Sequence, residues 1–74
     1  MSAPGDVRAV IAGLARRPVA DVAATSRLTE DLGIRSLERV ELAVLLEEKL
    51  SRRVPDQWVM TARTVGDLEA RLGG

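Results

Sequence analysis

The chain has 74 residues, 46% of them hydrophobic, 30% charged and a single one, Trp58, aromatic, which allows one small domain and excludes anything larger. Eleven basic residues balance eleven acidic ones, against the basic excess of a counterion-releasing nucleic-acid binder, and the lack of Cys and His excludes disulfides, structural zinc and histidine general-base chemistry. No apolar run is long enough for a membrane span or a signal segment, which predicts a cytoplasmic protein, and so small a domain points to binding or carrying rather than catalysis.

Val7, Val10, Ile11 and Leu14 recur at i, i+3, i+4 and i+7 and predict a first helix over about 5–16. Asp6 in its first turn and Arg16 and Arg17 in its last complement the dipole, and Pro18 ends it. Residues 18–35 hold no sustained period. Val19, Val22, Leu28, Leu32 and Ile34 are scattered there among polar residues and Gly33, which predicts a long functional connection laid against the core. The spacing of Leu28 and Leu32 fits one helical turn.

From Ser36 the helical period returns and predicts a second helix over about 36–51. At 100° per residue Leu42, Leu46 and Leu50 form a core stripe, with Ala43 beside it. Leu37, Val40 and Val44 make a second apolar stripe well away from the first. Glu41, Glu47 and Glu48 flank it, and Ser36 stands at its N-terminal end. Arg52 and Arg53 close the helix at the negative end of its dipole.

Val54-Pro55-Asp56 breaks the pattern, with Asp56 read as the cap of a short helix over about 56–61 that carries Trp58, Val59 and Met60. Trp58 reads as a core residue. Thr64-Val65-Gly66-Asp67 has the form of a capping box and opens a last helix over about 65–72. Val65, Leu68 and Leu72 supply its apolar face, and Gly73-Gly74 end it. The expected fold is all-α: a small four-helix bundle, three main helices plus a short third one, with one long crossover, in a single domain over 1–74.

Residues Glu30-Asp31-Leu32-Gly33-Ile34-Arg35-Ser36-Leu37-Glu38-Arg39-Val40-Glu41-Leu42 carry a family likeness. The stretch resembles the signature of acyl carrier proteins, a Leu-Gly pair shortly before an Asp-Ser-Leu triplet and an acidic helix containing Val-Glu-Leu. Val54-Pro55-Asp56 and Thr64-Val65-Gly66-Asp67-Leu68 sit where that family has its later break and last helix, so the likeness runs from the first helix to Leu72. It implies that Ser36 carries a covalent 4′-phosphopantetheine arm, attached from coenzyme A by a phosphopantetheinyl transferase that brings its own metal. The arm's thiol would hold acyl, polyketide or aminoacyl groups as thioesters, which fits a chain without Cys. No residue of the carrier is then catalytic and none binds metal. It would protect the tethered group, the space between its helices being one place for it, and present it to a loading ligase or acyltransferase and to synthases.

On this resemblance Arg35, Leu37, Val40, Glu41, Val44, Glu47 and Glu48 form the candidate docking face, where brief encounters are steered by charge and completed by apolar contact. Two departures matter. Arg35 replaces the Asp that usually precedes the modified Ser and helps engage the transferase. The chain is also neutral where carriers of fatty acid synthesis are strongly acidic, which implies a specialised pathway. Arg39 is placed by the same reading near the edge of the partner-facing surface.

Met1 and the full helix set point to a free-standing protein; a monomer with no nucleic-acid or membrane partner is expected. A second reading is a helical docking module that keeps the fold but is not modified, and Arg35 is its support. An aminoacyl or peptidyl carrier is a close variant, although Gly33-Ile34-Arg35 lacks the paired Gly and the His or Asp usual before that Ser.

Overall fold

The computed structural model describes residues 4–73, so Met1 and Gly74 lie outside the described residues. Its helices are α1 (Pro4–Ala15), α2 (Ser36–Leu50), α3 (Asp56–Met60) and α4 (Val65–Arg71), with one 3-10 turn, Val19–Asp21, in the long crossover. The described residues form no strand beyond an isolated antiparallel bridge between Arg27 and Thr64. This is the all-α four-helix arrangement that the sequence predicts.

Backbone chemistry decides where the helices stop. α1 ends at Ala15, before the predicted Arg16, because Arg16 adopts a left-handed conformation at φ 58°. The Arg17 N–H then donates to the Ala12 carbonyl and the Arg16 N–H to that of Gly13, the two bonds of a Schellman motif. α2 stops the same way at Ser51, φ 52°, with the Ser51 and Arg52 N–H groups both donating to the Glu47 carbonyl. The Arg52 guanidinium, just past the end of α2, also donates to the Leu72 carbonyl at the end of α4.

At α3 the expectation that Asp56 is the cap is corrected. Pro55 holds that position, extended at ψ 136°, and its carbonyl accepts from the Trp58 N–H, so Asp56 is already helical. Proline is suited to this place because its missing N–H costs nothing at a helix start. Thr64 caps α4, its hydroxyl accepting the Asp67 N–H while the Asp67 carboxylate accepts the Thr64 and Arg63 N–H groups.

α2 lies against α1 and α3, and α4 packs across α1 and α3. Val7 and Ile11 enter the core from α1, Leu42, Ala43 and Leu46 from α2, and Val65 and Leu68 from α4. The crossover adds Val22, Leu28, Leu32 and Ile34, all buried. It is zipped onto α4 by three backbone bonds: Leu28 N–H to Arg63, Val65 N–H to Ser26 and Gly66 N–H to Ala24. A side chain at Gly66 would meet the Ala24 oxygen at 3.1 Å, which is why this approach calls for glycine. A two-point ion pair, Arg8 Nε and Nη2 to Glu69, joins α1 to α4. Trp58 is half-buried at the rim of the core rather than within it.

Candidate functional site

The crossover delivers the chain to α2 through a tight turn. The Asp31 and Gly33 N–H groups donate back to the Arg27 and Thr29 carbonyls, and Gly33 bends the chain at φ 70°. The backbone N–H of Arg27, and then its guanidinium, hold the Asp31 carboxyl below its ordinary value. Leu32 and Ile34 are buried on either side of Gly33, and the Ile34 N–H donates to Leu28. The segment is therefore pinned up to Ile34. Arg35, Ser36 and Leu37 emerge from it into solvent.

Ser36 is the first residue of α2, not its cap. That position belongs to Arg35, extended at φ −96° and ψ −178°. A guanidinium has no acceptor, so Arg35 cannot cap through its side chain. Only the reciprocal contact forms, with the Arg35 N–H donating to Glu38 Oε1 at 3.1 Å. The Ser36 residue is exposed, and its hydroxyl enters no hydrogen bond among the described residues. An exposed hydroxyl that the fold does not use, fixed at the positive end of a 15-residue helix, suits acceptance of a phosphate ester.

The second stripe of α2 faces water. Leu37 is 82% exposed, Val44 51% and Val40 43%, with Glu41 and Glu48 exposed beside them. Arg35 is exposed above this face. Glu47 differs from the other carboxylates, for it is half-buried and its Oε2 accepts the Val54 N–H at 2.9 Å. It holds the α2–α3 connection. Met60, at the end of α3, is a further exposed apolar residue.

The placement of Arg39 at the edge of a partner-facing surface is corrected: it is buried, 9% exposed. Its Nη1 donates to the carbonyls of Val59 at 2.8 Å and Ala62 at 2.6 Å, and its Nη2 to the Thr29 hydroxyl at 3.1 Å. Thr29 in turn donates to the Ile34 carbonyl. The signal was present in the spacing, because Arg39, Leu42 and Leu46 stand at i, i+3 and i+7, so Arg39 continues the core stripe. A charged donor bound to neutral acceptors contributes roughly 1.5–3 kcal/mol per bond. For a five-residue helix such as α3, with little stability of its own, that anchorage is decisive.

Over residues 5–72 the chain matches the family described as "Phosphopantetheine attachment site". It is 41% identical to an acyl carrier protein of Acidothermus cellulolyticus over 58 residues, 78% of this chain and 69% of that one. The chain belongs to the acyl carrier protein family. Other acyl carrier proteins agree: one from Kineococcus radiotolerans is 45% identical over 55 residues, 74% of this chain and 68% of the relative. One from Helicobacter pylori is 38% identical over 63 residues, 85% and 81% of the two chains. Acyl carrier proteins are carriers and not enzymes, and the group they carry is covalent 4′-phosphopantetheine. No helix among the described residues is long and apolar enough to cross a membrane, and no cluster there could hold a metal ion.

Proposed function

We propose that this acyl carrier protein holds its 4′-phosphopantetheine on Ser36 and works in a specialised biosynthetic pathway of the cytoplasm. The observation that carries the reading is the hydroxyl of Ser36, exposed, unused by the fold and rigidly set at the start of α2. The arm supplies a terminal thiol, which the chain itself lacks, to hold an acyl group as a thioester. What the chain contributes is placement. Ile34 and Leu32 anchor the approach to Ser36, while the N-terminal end of α2 favours the phosphodiester charge.

The partners are a phosphopantetheinyl transferase, a loading ligase or acyltransferase, and an acyl-transferring synthase. They meet the exposed face of Leu37, Val40 and Val44, oriented by Glu41 and Glu48. Arg35, next to the attachment residue, favours a transferase that tolerates or pairs with a cation there. Glu47 serves this face chiefly by fixing the α2–α3 connection. Balanced charge disfavours partners that need a broad acidic surface.

Co-expression with a broad-specificity phosphopantetheinyl transferase tests the attachment. The intact mass should rise by one phosphopantetheinyl unit, and Ser36→Ala should abolish the rise. An unchanged mass with several such transferases would favour the unmodified docking module, the reading that Arg35 supports. Val40→Asp tests the face: loading by the cognate ligase should fall at least tenfold with helicity unchanged by circular dichroism. Normal loading would remove α2 from the interface.

A further inference from the structure

Among the described residues one charged side chain, Arg39, is buried against the otherwise aliphatic core. Arg39 follows Ser36 by about one helical turn and points into the junction of α2, α3 and the turn that precedes α2. One guanidinium joins all three, through the Val59 and Ala62 carbonyls on one side and the Thr29 hydroxyl on the other. The Met60 carbonyl lies at 3.4 Å from the same Nη1. Its described acceptors are all neutral oxygens, three carbonyls at or just past the C-terminal end of α3 and the Thr29 hydroxyl, and neither of the described ion pairs involves it.

We propose that Arg39 determines where the cargo rides. It latches α3 to α2 below Ser36 and keeps a short acyl group out of the seam between those helices, so that the group stays in solvent until a partner takes it. This rests on Ser36 as the attachment residue. For an apolar group to lie in the seam, α3 has to part from α2. It cannot do so without drawing the Val59 and Ala62 carbonyls off the guanidinium. The cation would then face hydrocarbon with its acceptors gone, the arrangement in which a buried charge is most unfavourable. A short acyl chain covers too few methylenes to offset that loss. The cargo class that fits is short or polar acyl groups, for which exposure to water carries little penalty.

The test compares the full-length modified protein, unloaded and butyryl-loaded, as wild type and as Arg39→Met. Intact mass comes first, since a mass that fails to rise on modification overturns the attachment reading itself, before any question of the latch arises. With the mass established, methyl and amide NMR signals of Val59, Ala62 and Leu46 should stay in place when wild type is loaded. In Arg39→Met the same signals should move on loading, and thioester hydrolysis should slow at least threefold against wild type. Core signals that move as far in wild type as in the variant overturn the inference, as do signals that move in neither. Should Arg39→Met fail to give a dispersed spectrum, Arg39→Gln removes the charge and the reach to both the Val59 and Ala62 carbonyls while keeping a polar side chain, and the same outcomes decide.

Discussion

A serine at a helix start is usually there to cap it, and Ser36 is not. Arg35 holds the cap position, Glu38 takes the Arg35 N–H, and the Ser36 side chain is left over. The two roles differ in energy. Loss of a capping serine costs about 1 kcal/mol, whereas an exposed residue outside such a role shifts stability by no more than about 0.5 kcal/mol. Ser36→Ala should therefore leave the urea midpoint of the unmodified protein nearly unchanged. A loss near 1 kcal/mol would mean that the hydroxyl is structural after all. The sequence could not separate these roles, because they differ by one residue of register, and residue types alone leave helix ends loose by that much. Arg39, expected near the edge of the partner-facing surface, is buried instead. A long charged side chain reads as surface even where its spacing continues the core stripe, and its acceptors, in the crossover at Thr29 and in and beyond α3, are not adjacent in sequence.

At the scale of the element, local chemistry was most legible where all its parts lie within four residues. Thr64 and Asp67 announce the α4 cap and form it, since a capping box needs nothing from the rest of the fold. The bonds from Thr64 and Arg63 hold the Asp67 carboxyl below its ordinary value. A carboxyl lowered on folding binds fewer protons in the folded state. Its contribution is thus complete above the unfolded value of about 3.9 and is lost as the pH falls through the lower folded value. Asp67→Asn should consequently flatten the acid limb of the stability curve, with the gap between variant and wild type widest near pH 7 and closing towards pH 2. A gap of constant size across urea titrations at several pH values would contradict this. The C-terminal ends of α1 and α2 were less legible, for they use Arg16 and Ser51 in the left-handed conformation that glycine normally supplies. Ser51→Gly relieves that strain at an exposed site and should stabilise by about 0.5–1 kcal/mol, or roughly 2–8 °C in Tm. An unchanged or lower Tm would show the Ser51 side chain to be needed.

For the molecule as a whole, the crossover is where sequence and structure part most. Val22, Leu28, Leu32 and Ile34 are all buried but follow no sustained period, since only Leu28 and Leu32 share a turn, closed by the Asp31 and Gly33 N–H groups on the Arg27 and Thr29 carbonyls. Periodicity therefore reports nothing of how completely the crossover enters the core. Leu28 is fully buried, and its own N–H is bonded to Arg63 just ahead of α4. A domain of this length is stable by only about 3–5 kcal/mol. Truncating a buried leucine costs about 2–5 kcal/mol, the larger values arising where neighbours cannot collapse into the space. The bonds to Arg63 and Ile34 hold the backbone at Leu28 in place, so collapse there is restricted. Leu28→Ala should accordingly unfold most of the protein at 25 °C, as severely as Leu42→Ala on α2, although only Leu42 lies in a helix. Urea titration followed by circular dichroism measures both. If Leu28→Ala kept a midpoint close to wild type while Leu42→Ala did not, the crossover would be a cover over the core and not one of its walls. The firm placing of Ser36 would then have to come from α2 alone.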